Sequence, residues 1–212
     1  GAGGRVHTGL PIEVAMETSV FTRVGVERVM RFAFRLAQSR PRKHLTVITK
    51  SNAQRHGMVM WDQIAREVAV DFPDVAVRKL LVDAATTVMV QDPRSLDTIV
   101  ATNLHADVLS DLAGALAGSL GIAPTANLNP ERVVPPMFEP THGSAFDITG
   151  KGVANPIATF WTVAMMLEHL GEKPAADAIM AAIEKVCLEG KRLPRDIGGT
   201  ARTTEVTDAV IA

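Results

Sequence analysis

Two aspartates four residues apart, Asp107 and Asp111, lie in the run TNLHADVLSDLAGAL, where apolar spacing predicts a helix over 107–116. That spacing turns both carboxylates toward one helix face, and like charges so placed repel. Their neighbours Val108, Leu109, Leu112 and Ala113 suggest a packed helix, which raises the cost of two uncompensated acids. Two readings fit: a solvated face, or a carboxylate pair for a divalent cation, with Mg2+ or Mn2+ matching oxygen donors. Lys50 closes the apolar run His44–Thr49, Asn52 follows it, and Asp83 comes just after Leu80–Val82. Ligands of open α/β sheets gather at the carboxyl ends of strands. A buried lysine is also readily tuned toward base duty. Each residue alone is more often a surface residue than a catalyst, but the set favours an enzyme. His105 ranks below the acids, because at a helix start its side chain and that of Asp107 splay apart.

A second chemical feature is the loop Thr141–Pro156, THGSAFDITGKGVANP. Its glycines allow backbone N–H groups to approach a ligand, and it runs into an Asn155-Pro156 helix start whose partial positive charge favours anions. It reads either as a cradle for a phosphate-bearing ligand or as a surface connection. It is not a Walker A loop, since Gly143 and Gly150-Lys151 are too far apart and Gly152 follows the lysine. It also lacks the Rossmann pattern, because Glu139-Pro140-Thr141 argues against a strand leading into the first glycine. The Gly1–Gly4 cluster is weaker still.

The elements that must position these groups follow from periodicity. Residues 12–21 alternate, with Ile12, Val14, Met16, Thr18 and Val20 on one side, as in a half-buried strand. Thr22 can cap a helix to Ser39 with an apolar stripe of Val26, Val29, Met30, Ala33, Leu36 and Ala37. Strands are expected at 44–49, 75–82 and 98–101, and helices at 61–70, 84–90, 107–116, 156–170 and 174–188. Residues 129–140 read as a Pro-rich connection. Strands alternating with helices define an α/β class. A composition richer in Gly and Pro begins near Gly118–Gly121, the best internal boundary.

The totals exclude several partners. A formal net charge of −1 gives no reason to expect nucleic acid or an anionic membrane. No apolar run approaches transmembrane length, and the N-terminus has no signal pattern. The one cysteine, Cys187, cannot form an internal disulfide, which suggests a reducing compartment and the cytoplasm as default. The chain has no tyrosine, and its start, GAGGRVHTG, lacks Met and reads as mid-loop, as in a piece of something longer.

The blocks TIVATNLHADVLSDLAGALAGSLGI (98–122) and EPTHGSAFDITGKGVANP (139–156) closely resemble the metal-dependent β-decarboxylating dehydrogenases. That group includes isopropylmalate, isocitrate, tartrate and D-malate dehydrogenases. The likeness covers essentially the whole chain, and TKSNAQRHGMVMW and PTANLNPERVVPPMFEP look most like the tartrate/D-malate branch.

The resemblance implies a two-domain isocitrate/isopropylmalate dehydrogenase-like α/β fold lacking its N-terminal part. Residues 1–117 would be the central dimerisation and metal/substrate domain, and 118–212 the C-terminal part of the cofactor domain. It implies metal binding by Asp107 and Asp111, with Asp83 contributed across a homodimer interface, and catalysis by Lys50 with Asp83. Asn52 would lie near the nicotinamide. Glu139, His142, Gly143, Ser144, Ala145, Asp147 and Asn155 would hold the adenosine half of the cofactor. An acid at Asp147 accepts from ribose hydroxyls and repels a 2′-phosphate, so NAD is expected over NADP. Phe146 stands where the family usually has proline. The implied reaction is NAD-dependent, Mg2+- or Mn2+-assisted oxidation with decarboxylation of a 2-hydroxy diacid such as tartrate or D-malate. A 3-isopropylmalate dehydrogenase and an inactive dimerising fragment are the alternatives, since the family's substrate arginines and acid tyrosine belong to a segment upstream of residue 1.

Overall fold

The structure, a computed structural model, describes residues 2–212. These form two compact units, one reaching to Leu109 and the other running from Ser110 to Ala212.

The first unit opens with an antiparallel pair, β1 (Ala2–Val6) and β2 (Val14–Thr18), in register from Ala2↔Thr18 to Val6↔Val14. Within the glycine-rich start, Ala2–Val6 therefore forms a strand rather than a loop. Gly3 suits it physically, because a Cβ there would run into the Met16 carbonyl on β2. Every residue of both strands is exposed, so β2 is not the half-buried strand that its alternation suggests.

Helix α1 (Arg23–Ser39) starts as expected: Thr22 is extended and its hydroxyl accepts the Gly25 N–H at 3.2 Å. Its buried face is Val26, Met30, Ala33, Phe34 and Ala37, a 0/4/7/8/11 pattern of helical period. Val29 and Leu36, expected inside, are 39% and 43% exposed, since that face is rotated toward Phe34. Strand β3 (His44–Thr49) then forms the centre of a parallel sheet ordered β4-β3-β5, with β4 (Ala76–Leu81) and β5 (Thr98–Val100) on its flanks. Helix α2 (Gly57–Ala69) begins four residues before Trp61. Met30, Phe34, Leu45, Met58, Trp61, Ile64 and Val100 make the core shared by α1, α2 and the sheet. The Phe34 and Phe72 rings stack at 5.2 Å.

Helix α3 (Val82–Gln91) starts immediately after β4, whose last residue Leu81 is its N-cap, so Asp83 lies in a first helical turn, where helix polarity favours a carboxylate. Helix α4 (Asn103–Ala117) begins well before residue 107. The division between the two compact units falls inside α4, between Leu109 and Ser110.

The second unit contains an antiparallel pair within the expected connection, β6 (Pro124–Asn127) with β7 (Met137–Pro140). The prolines Pro124 and Pro140 face each other at its end, where a missing N–H is tolerated. A strand therefore does lead into the Thr141 loop. Helix α5 (Ile157–Leu170) ends at Gly171, whose φ of +92° gives a left-handed cap. Helices α6 (Lys173–Glu189) and α7 (Thr203–Ile211) follow, the last without a counterpart in the sequence expectation. Ile157, Ile183, Val186, Val206 and Val210 form this unit's core. Among the described residues no helix is long and apolar enough to cross a membrane.

Candidate active site

The parallel register Thr49↔Leu81 brings the ends of β3 and β4 side by side, and with them Lys50 and Asp83. Lys50 Nζ donates to Asp83 Oδ1 at 2.5 Å. This hydrogen bond, with one from the Asp83 backbone N–H, holds the Asp83 carboxyl below the usual carboxylate range. The Lys50 carbonyl accepts the N–H groups of Ala53 (3.0 Å) and Gln54 (2.9 Å), closing a turn that leaves Asn52 exposed. His105 is buried on α4, and its Nδ1 has no hydrogen-bond partner. Burial, and then the Lys50 charge, push its pKa down, so the neutral ring is favoured.

Sequence reasoning missed Asp62. This carboxylate on α2 is only 6% exposed, and its Oδ2 accepts from Ser51 Oγ at 2.7 Å and Lys79 Nζ at 3.0 Å. Burial works to raise its pKa, but the hydrogen bonds from Ser51 and Lys79, with the Lys79 charge, help to outweigh it, and the carboxyl is held low. A WDQ triplet in an amphipathic helix carries no local sign that its acid faces inward.

Asp107 and Asp111 lie one turn apart on α4, and both are exposed. Two oxygen donors on one helix face suit a hard cation. The structure does not, however, bring Asp83 to them. Among the described residues no group of three or more His, Cys, Asp or Glu could hold a metal ion. The Asp83 carboxylate is engaged with Lys50 instead. One chain thus supplies a partial donor set.

In the second unit, the Thr141–Pro156 loop borders a cleft of about 940 Å3. His142, Gly143, Ser144, Ala145 and Asn155 line it, whereas Glu139 on β7 and Asp147 do not. The His142 Nδ1 lies 3.0 Å from the Gly143 carbonyl, a hydrogen bond when that nitrogen carries the proton. Ala145 has a φ of +44°, a left-handed conformation unusual for a residue with a Cβ, and it opens the short 3-10 turn Phe146–Ile148. That turn leaves Asp147 exposed and Phe146 85% exposed.

Asn155 stands one residue before the α5 N-cap, which is Pro156 rather than Asn155 as expected, and its Oδ1 still accepts the Ile157 N–H at 2.9 Å. The cleft's other wall comes from residues that sequence reasoning left out. Asp196, in the short turn Arg195–Ile197, accepts from Asn155 Nδ2 at 2.9 Å and from the Ser119 hydroxyl. Thr203 ties the loop to α7, its N–H donating to the Gly152 carbonyl at 3.0 Å and its hydroxyl to the Ala154 carbonyl at 2.6 Å.

A sequence model of the isocitrate/isopropylmalate dehydrogenase family matches residues 3–210. A probable tartrate dehydrogenase/decarboxylase of Agrobacterium vitis is 70% identical over 210 residues, covering 99% of this chain and 58% of that protein. The decarboxylating D-malate dehydrogenase of Escherichia coli K12 is 49% identical over 213 residues, covering 98% of this chain and 59% of that protein. The crystal structure of isocitrate dehydrogenase from Methylococcus capsulatus superposes with a TM-score of 0.90 at 36% identity, over 99% of this chain and 61% of that one. The chain thus spans about 58% of the length of the A. vitis relative. With its α/β architecture, parallel sheet and matching sequence, the chain belongs to the isocitrate/isopropylmalate dehydrogenase family.

Proposed function

We propose that these residues form part of an NAD-dependent, divalent-metal-assisted dehydrogenase that oxidises and decarboxylates a 2-hydroxy diacid such as tartrate or D-malate. The observation that carries this reading is the Lys50–Asp83 pair at the carboxyl edge of the parallel sheet. The 70% likeness to a probable tartrate dehydrogenase/decarboxylase supports the choice of substrate.

Lys50 moves the proton of the substrate's C2 hydroxyl, and Asp83 fixes the lysine head so that this proton has one defined path. NAD supplies the acceptor for the C2 hydride, and Mg2+ or Mn2+ supplies Lewis-acid polarisation of oxygen. Asp107 and Asp111 would hold the cation, completed by Asp83 of a second copy, since no three such groups gather among the described residues. The cleft beside His142–Ala145 would hold the adenosine half of NAD, and Asp147, exposed on the adjoining Phe146–Ile148 turn outside the cleft lining, would disfavour a 2′-phosphate reaching past it.

A homodimer accounts for the exposed apolar side chains Ile12, Val14 and Met16 around β2 and Leu104 and Val108 on α4. The protein works on a small molecule in the cytoplasm, with neither nucleic acid nor membrane as partner.

The incomplete donor set in one chain favours one other reading, a dimerising module without catalysis. NADH formation from D-malate, tartrate and 3-isopropylmalate with Mn2+ separates the two. A chain limited to these residues is expected to turn over weakly, because it lacks the family's carboxylate-binding arginines. Activity that survives Lys50→Met in a full-length enzyme ends the assignment.

A further inference from the structure

We propose that Asp62 is a positioning residue that sets the backbone from which Lys50 reaches its partner. The proposal rests on Lys50 being the reacting lysine. Asp62 touches neither Lys50 nor Asp83. Its Oδ2 instead holds the hydroxyl of Ser51, the residue immediately after Lys50, and the Lys79 ammonium on β4. Lys79 is the register partner of Val47 on β3. One carboxylate therefore ties together α2, the exit of β3 and the adjoining strand.

From the other side, the Lys50 carbonyl is fixed by the Ala53 and Gln54 N–H groups. The main chain around Lys50 is thus gripped on two sides, and the side chain spans to Asp83 from a set origin. Asp62 sits beside the buried Trp61, Ile64 and Ala65, whereas the Lys79 side chain that it holds is 55% exposed. A charge kept at 6% exposure and aimed at the residue after Lys50 fits a demand on placement.

The test uses Asp62→Ala, Asp62→Asn and Ser51→Ala in a full-length enzyme, with steady-state kinetics and amide exchange over residues 49–54. Asp62→Ala and Ser51→Ala are expected to lower kcat roughly tenfold or more while KM holds within about twofold. Exchange at Ala53 and Gln54 should quicken, with the α1 amides unchanged. Asp62→Asn keeps an acceptor for Ser51 and should recover most of kcat. Wild-type kcat and unchanged exchange in folded Asp62→Ala or Ser51→Ala overturn the proposal. If wild type turns over none of the hydroxy diacids, the functional reading fails, while the exchange measurement still decides whether Asp62 grips the turn. Ser51→Ala keeps the test open should Asp62→Ala fail to fold.

Discussion

Asn155 and Asp196, 41 residues apart, share a hydrogen bond of 2.9 Å that joins the start of α5 to the Arg195–Ile197 turn. The other end of the same amide, Oδ1, accepts the Ile157 N–H. Asn155 therefore uses both ends of its side chain on the protein, and one Nδ2 proton remains for a ligand. Its contribution to the cleft is first of all shape: it fixes where the loop's helix start stands against the opposite wall.

Asp196→Ala should accordingly weaken NAD binding without the residue needing to touch the cofactor. It releases both Asn155 Nδ2 and the Ser119 hydroxyl, two donors to one carboxylate. The expected loss is roughly tenfold in Kd, the scale of one hydrogen bond to a charged group. Calorimetric titration with NAD checks it, and an unchanged Kd would remove Asp196 from the cleft's design.

Gly121 tests the same wall by filling space. A Cβ there would lie 2.5 Å from Asp196 Oδ2 and 3.0 Å from Asn155 Cβ, so the clamp must shift to admit it. Gly121→Ala is expected to destabilise by about 1–3 kcal/mol, the usual range for overpacking, and to weaken NAD binding alongside Asp196→Ala. Urea unfolding at neutral pH measures the first effect. A variant as stable as wild type would mean that the wall is soft.

What the sequence made legible was mostly local. Thr22 capping α1, the bounds of β3 and the stop at Gly171 each depend on neighbours within one turn or strand. The loop at 141–156 was readable for the same reason, because its glycines and Asn155 lie within a few residues of one another. What escaped depends on distant partners. β1 hides behind glycines, of which Gly3 is explained only by Met16 across the pair, and β6 and β7 are stabilised by each other. Ser119 and Asp196 meet across 77 residues, and Asp62 turns inward only because Ser51 and Lys79 await it.

That buried carboxylate makes a pH prediction. The folded-state pKa of Asp62 lies below its unfolded value, so its stabilisation is present above the unfolded pKa of about 3.9 and is lost as pH falls through the lower folded value. Asp62→Asn removes this titration. The stability gap between wild type and Asp62→Asn should therefore be constant near neutrality and shrink below roughly pH 4. Denaturant unfolding across that range reads it. A gap that widens on acidification contradicts the direction of the shift.

The partial donor set on α4 predicts a metal affinity that depends on protein concentration. Asp107 and Asp111 offer two exposed carboxylates, and no third acid or imidazole among the described residues joins them. If Asp83 of a second copy completes the site, Mn2+ should bind weakly where the chain is monomeric and more tightly as it self-associates, by linkage. Asp107→Asn and Asp111→Asn should each weaken binding by roughly tenfold or more in the associated state. In the monomer, where Asp83 of a second copy does not complete the site, affinity is already weak and the same substitutions should lower it further. Asp83→Asn should lower affinity only where copies associate, and it also releases Lys50 from its partner. Mn2+ titration followed by electron paramagnetic resonance, alongside sedimentation at the same concentrations, reads both variables together. Affinity that ignores association, or that survives Asp107→Asn/Asp111→Asn unchanged, would place the cation elsewhere and leave the α4 acids as a solvated face.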